Sequence, residues 1–296
     1  MTAVQSRRQP VRHKRAIAIF IVPFAALFTV FYLLPIGWAV YQSLLVVQRD
    51  GTFGPPVEVF GGLQQYILVF QNDVFWSSVG RVLLFGAVQV PVMLGFALIL
   101  ALLLDSPLVK GKRFFRLAFF VPYAVPGVIA AIMWGYLYSP NLSPFIGFTS
   151  QFDLLSPQTV LWSIANVVTW IYVGYNMLII YSALLALPTE IFEAARIDGA
   201  SQLQIAWSIK IPLVAPAITL TAIFSIIGTL QLLAEPQVFR SFTSSVSSTF
   251  TPNLAVYATS AVPNVNLAAA MSVVLALATF IMSFAFLKFT QRKADK

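Results

Sequence analysis

One cluster of side chains inside the apolar runs of this chain could do chemistry. Asn166, Trp170, Tyr172, Tyr175 and Asn176 lie close together in one run, and Ser225, Thr229 and Gln231 lie in a later one. Gln89 and Arg81 sit in an earlier run, and Trp134 and Tyr136 between them. Hydrocarbon tolerates such groups only where they are partnered or face a cavity. Aromatic faces stack on apolar C–H patches while amides and hydroxyls exchange hydrogen bonds, a combination suited to a polyhydroxylated ring. Each residue also has a plainer reading. Trp134, Tyr136 and Tyr138 fit an interfacial aromatic belt, with Arg81 and Arg240 beside it. Asn166 and Gln89 fit hydrogen bonds between helices.

Other chemistries are absent. There is no cysteine, and the single histidine, His13, lies in a basic leader, so thiolate and histidine metal sites are excluded. The only Gly-Lys pair, Gly111-Lys112, has Ser106 and Arg113 where a phosphate-binding loop needs glycine and a hydroxyl residue. ATP hydrolysis by that chemistry would have to come from another polypeptide.

The elements that must position the cluster are set by composition. Of 296 residues, 59% are hydrophobic and 9% charged, with mean hydropathy +0.84. A soluble domain carries roughly 25% charged residues. Six apolar stretches, about 16–45, 76–104, 114–138, 158–187, 213–234 and 267–289, each reach the roughly 20 residues that cross a bilayer. The first is far longer than a signal-peptide core and lacks a small-residue cleavage site, so it reads as a retained span. The fold class is therefore all-α integral membrane with six transmembrane helices. Four polar segments on one side carry 15 of the 18 Lys and Arg residues: the leader, 105–116, 188–212 and the C-terminal end. The positive-inside rule makes that side cytoplasmic and puts both termini there. The net charge of +8 is thus topological, and a nucleic-acid partner is not indicated. The chain divides into a basic tail (1–15), a first helix with its outer loop (16–75), a core of five helices (76–290) and a short tail (291–296).

The most polar segment between spans is 188–212, with Glu190, Glu193, Arg196 and Asp198. It reads as two short helices. Thr189 is placed to cap the first and Gly199 to end it, Ser201 and Gln204 fit a capping box for the second, and Pro212 marks its end. Ile191, Ala194, Ala195 and Asp198 share one face. On local physics this is equally an amphipathic helix at the headgroup boundary or a docking helix whose carboxylates await arginines.

The spacing Glu193-Ala194-Ala195, then Gly199, then Ile209-Lys210-Ile211-Pro212 resembles the EAA motif of ATP-binding-cassette importer permeases, with Ile211 where leucine is usual. The similarity to the maltose-type sugar permeases extends over about 76–290, including Phe119–Pro126 and Glu235-Pro236. That resemblance implies a coupling helix seated in an ATPase groove, with Glu193, Ala194, Ala195, Asp198, Gly199, Ile209 and Pro212 as its coupling residues. Glu193 is expected to meet an ATPase arginine. It also places the substrate pathway at Val168, Ile171, Tyr172, Tyr175, Ser225, Gly228, Thr229 and Leu232. Of these only Tyr175 and Ser225 keep the maltose-type identity, which implies a similar place but a different sugar. The implied partners are a second homologous permease, two ATPase subunits holding ATP and Mg, an extracytoplasmic solute-binding protein, a sugar and the lipid bilayer of a bacterial cell. No cofactor is expected on this chain. A glycerol-phosphate permease of the same family is the nearest alternative, although spans four and five lack paired basic residues. An ion-coupled transporter would need carboxylates inside the spans, and Asp73 and Glu235 read as span ends. An intramembrane enzyme would need a catalytic cluster that the spans do not contain.

Overall fold

The computed structural model describes residues 14–294, except 50, 52, 53, 141, 145, 146, 148–150, 262 and 263. The basic leader through His13 and the final Lys296 lie outside the described residues. Among the described residues five helices are long and apolar enough to cross a membrane: Ile19–Gln42, Asp73–Asp105, Val160–Leu185, Ala215–Phe239 and Val265–Thr290. The pair Lys112–Ala124 and Gly127–Tyr138, bent by 95° where they meet, meets the same measure of length and apolarity when taken together as one span. The third span is therefore broken, where the sequence suggested one continuous helix. Its break follows from Val125-Pro126, since the residue before a proline is pushed out of the helical region and Val125 has ψ 124°.

The other boundaries also have local causes. The first span ends at Gln42 rather than Leu45. Strand β1 (Leu45–Arg49) then pairs antiparallel with β2 (Pro56–Phe60), and Gly51 provides a positive φ in the connection. The second span begins at Asp73, before Trp76, because the Asn72 side chain accepts a hydrogen bond from the Phe75 N–H at 2.9 Å. The fifth span's regular helix stops at Leu230, and the chain turns through residues 231–233 into the short helix Ala234–Phe239. The Ser/Thr-rich segment beyond it is packed inward and contains the helix Pro252–Ala261: Val246, Phe250 and, on that helix, Leu254 are buried in the same core as Ile164, Val167 and Phe239.

Spans two and four form the spine of the molecule. Ala97, Ala101 and Leu104 pack on Met177, Ile180 and Leu184, small residues admitting large ones. Span four also meets the first half of span three at Gly174, where a Cβ would collide with the backbone carbonyl of Phe119. By contrast, no residue of the first span is buried within the chain; its Leu34–Gln42 end touches the last span.

Gly174→Val should therefore destabilise the protein by roughly 2 kcal/mol or more, since a backbone group cannot rotate aside. Thermal unfolding of the detergent-solubilised chain, followed by size-exclusion chromatography, checks this. The same change at Gly95, where a Cβ meets nothing within 4 Å, should be far milder.

Candidate functional site

A cavity of about 380 Å³ lies where spans two, four and five meet the short helix Ala234–Phe239. Seven of the eight pathway positions that the resemblance implied border it: Val168, Tyr172, Tyr175, Ser225, Gly228, Thr229 and Leu232. The eighth, Ile171, 3% exposed, belongs to the buried core. Tyr123, on the first half of the broken span three, stacks on Tyr175 with ring centroids 4.6 Å apart and planes 15° from parallel. It meets Tyr172 edge-on at 5.9 Å. Tyr172 and Tyr175 thus give the cavity an aromatic flank, and Tyr123 backs it from a second helix. Sequence reasoning passed over Tyr123 because its neighbours, Pro122 and Pro126, give no helical periodicity against span four.

The amides are partly committed. Gln89 Nε2 donates to Thr169 Oγ1 at 3.2 Å, and Asn166 Nδ2 donates to the Tyr138 hydroxyl at 2.7 Å, so both tie helices together as expected. Gln89 Oε1 is buried beside the cavity without a donor among the described residues. Asn176 Nδ2 donates to the Tyr172 carbonyl at 3.1 Å. Tyr138 is buried against Phe239 and Trp134, not part of an outer belt, while Tyr136 stays half-exposed. Arg81 also has a specific role: Nη1 donates to the Phe250 carbonyl at 2.7 Å and the guanidinium lies over the Phe250 ring at 4.7 Å, holding the inward-folded loop. Glu235 is no solvated span end. It is 8% exposed and lines the cavity.

Broken backbone around the cavity is served by side chains at the start of the helix Pro252–Ala261 and just before it. Thr251 Oγ1 donates to the Leu232 carbonyl at 3.0 Å, and Asn253 Nδ2 to the Leu230 carbonyl at 2.9 Å. Among the described residues no group of three or more His, Cys, Asp or Glu side chains could hold a metal ion.

The second site is the charged loop. Its first helix, Thr189–Ile197, starts after Pro188 with no side-chain cap, so Thr189 lies inside the helix rather than capping it. Gly199 ends it with φ 86°; its N–H reaches the Arg196 carbonyl and that of Ala200 the Ala195 carbonyl, the paired bonds of a Schellman turn. Ser201 and Gln204 form the full capping box of the next helix, Gln202–Ile205. That helix does not stop at Pro212. It passes through a π-turn, Ala206–Lys210, into Ile211–Leu213 and then the fifth span, and Pro212 is accommodated in a first turn where its missing N–H costs nothing.

Glu193, Ala194, Asp198 and Gly199 are exposed, Ala195 partly so, and Ile209 is partly buried near the root of the loop. Ile197, Leu203 and Trp207 are 87%, 73% and 67% exposed, a large apolar face on a polar loop. Behind it, Lys210 forms an ion pair with Asp105 at the end of span two and lies over the Phe192 ring at 5.0 Å. Lys112 Nζ donates to the Asp105 carbonyl at 3.2 Å. A carboxylate at a helix C-terminus opposes the helix dipole, and these two ammonium groups offset it.

Residues 93–294 match the family described as binding-protein-dependent transport system inner membrane component. The chain is 32% identical to the lactose transport system permease protein LacF of Rhizobium radiobacter, over 90% of this chain and 91% of the relative. It is 28% identical to the diacetylchitobiose uptake system permease protein NgcF of Streptomyces coelicolor, over 87% and 77%. It is 30% identical to the sn-glycerol-3-phosphate permease protein UgpA of Yersinia pseudotuberculosis, over 67% of each. Its fold matches a chain of a bacterial alginate ABC transporter crystal structure with TM-score 0.78, over 95% and 97% at 16% identity.

Removing one partner of the Lys210–Asp105 pair leaves a largely buried charge, at a cost of about 3 kcal/mol. Asp105→Ala should therefore lower the melting temperature clearly, and Asp105→Ala combined with Lys210→Met should recover part of the loss. Thermal shift of the purified single and double variants measures both.

Proposed function

Because the chain belongs to the family of binding-protein-dependent transport system inner membrane components, we propose that it is one permease subunit of an ATP-driven importer for a di- or oligosaccharide. The observation that carries the sugar reading is the tyrosine-flanked cavity. Tyr172 and Tyr175, backed by Tyr123, offer aromatic rings, and Ser225, Thr229, Gln231 and Asn176 offer hydroxyls and amides around the same space. Two saccharide permeases among the relatives support it. The glycerol-phosphate relative supports a second reading, a phosphorylated polyol as cargo.

In this reading the 188–212 loop, the 105–116 loop and both termini face the cytoplasm, as the distribution of Lys and Arg demands. The exposed Ile197, Leu203 and Trp207 face docks in a groove of an ATPase subunit, with Glu193 and Asp198 meeting its arginines. Two such ATPases hold ATP and Mg, since this chain has no phosphate-binding loop of its own. A second permease covers the bare side of the first span, and an extracytoplasmic binding protein delivers the sugar. ATP favours the state in which the ATPases close. The coupling loop carries that preference into the spans, shifting between inward- and outward-open forms.

Glu193→Lys should reduce ATP-dependent uptake more than tenfold in reconstituted vesicles without lowering the amount of chain in the membrane; uptake at the wild-type rate would remove Glu193 from the interface. Tyr175→Ala should cut sugar uptake at least several-fold while the ATPase still co-purifies with the complex. Unchanged uptake would place the sugar elsewhere.

A further inference from the structure

Building on the sugar reading, we propose that Glu235 is the specificity-determining residue of the cavity: its carboxylate accepts hydrogen bonds from sugar hydroxyls and excludes anionic cargo. Among the residues lining the cavity it is the only one that can carry a charge at neutral pH, and no Lys, Arg or His lines it. The one ion pair among the described residues is Lys210–Asp105, so no basic side chain neutralises Glu235.

The fold has made room for this carboxylate. Glu235 Oε1 lies 3.0 Å from the point that a Cβ on residue 127 would occupy, and that residue is glycine. Gly127 opens the helix Gly127–Tyr138 directly after the 95° break in span three. The carboxylate therefore approaches the positive end of a helix, which favours negative charge without consuming it in a salt bridge. Pro236 comes directly after it and Pro126 precedes Gly127, fixing the backbone on both sides of the contact.

The arrangement dictates its chemistry. A carboxylate offers two oxygens that accept only, and charge-assisted bonds from hydroxyl donors are short and strong. A pair of neighbouring sugar hydroxyls suits it, with the Tyr172 and Tyr175 rings bordering the same cavity to take the apolar sugar face. A phosphate or uronate would instead bring its negative charge beside this carboxylate in a cavity that no Lys, Arg or His lines. The cargo is thus a neutral saccharide, and the phosphorylated polyol is the wrong class.

The test uses the complete transporter reconstituted in vesicles with its binding protein. Labelled lactose, other neutral di- and trisaccharides, and sn-glycerol 3-phosphate serve as probes. Wild-type protein should take up a neutral saccharide and not the phosphate. Glu235→Gln, nearly isosteric, should lower that uptake roughly 10- to 100-fold, and Glu235→Asp should restore part of it. As a check independent of any variant, a disaccharide containing a uronic acid should quench wild-type tryptophan fluorescence at least tenfold less effectively than its neutral counterpart. Neutral uptake by Glu235→Gln within twofold of wild type, with Tyr175→Ala impaired, overturns the role of Glu235 and leaves the sugar reading standing. Equal quenching by the charged and neutral disaccharides also overturns it. Wild-type uptake of sn-glycerol 3-phosphate in place of any neutral saccharide overturns the sugar reading and this assignment together.

Discussion

Hydrocarbon offers no hydrogen-bond partner to a peptide group, so a helix interrupted within an apolar span must be served by protein or by a water-lined space. This constraint organises the molecule. The interruption after Leu230 in span five borders the cavity, and the one at Val125 in span three precedes Gly127, against which Glu235 of the cavity wall lies. The segment after span five folds back so that Thr251 and Asn253, at the start of the helix Pro252–Ala261, serve the freed carbonyls of Leu232 and Leu230. Arg81 holds that loop by the Phe250 carbonyl and ring. Cavity, broken helices and inward loop are one solution to a single satisfaction problem.

Much of this could be read from the chain. Apolar length alone picks out the five long candidate spans and the bent pair, because 20 residues of hydrocarbon-compatible sequence have few other uses. The capping box at Ser201–Gln204 and the turn at Gly199 are local events and were legible as such. So were the interhelical roles of Gln89 and Asn166, since a buried amide must find a partner. Long-range effects escaped. The bend at Val125-Pro126 has a local cause, but its 95° size depends on the packing of the second half. Val57 and Val59 alternate as strand residues do, yet a hairpin of two five-residue strands beside a long apolar run is masked by it. Tyr138 read as a belt residue and Glu235 as a span end because both stand near the ends of apolar runs. Tyr138 is instead buried against Phe239 and Trp134, and Glu235 lies against Gly127 of span three, contacts between distant helices that no periodicity announces.

The charged loop and the cavity wall are mechanically close. Gln202–Ile205 continues through the π-turn and Ile211–Leu213 into the helix that carries Ser225, Gly228 and Thr229. A π-turn inserts one residue into the helical ladder and rotates the C-terminal part of the helix about its axis. The face presented by the loop and the face presented to the cavity are thus set by the same stretch of backbone. The Lys210–Asp105 pair pins its root to span two, the other long wall of the cavity.

The contact between the two ends of the chain has a consequence for biogenesis. No residue of the first span is buried by the chain, and its Leu34–Gln42 end touches the last span, Val265–Ala294. A polypeptide is made from its N-terminus, so the first helix enters the bilayer long before its neighbour exists. Until then lipid alone surrounds it, which its uniformly apolar surface permits. The hydrophobic cluster formed by Val69, Phe75, Ala255, Ala270 and Met271 likewise waits for residues near the end of translation. The fold closes only when its last helix is inserted, and a chain truncated before that helix has a first span with nothing of its own to rest on.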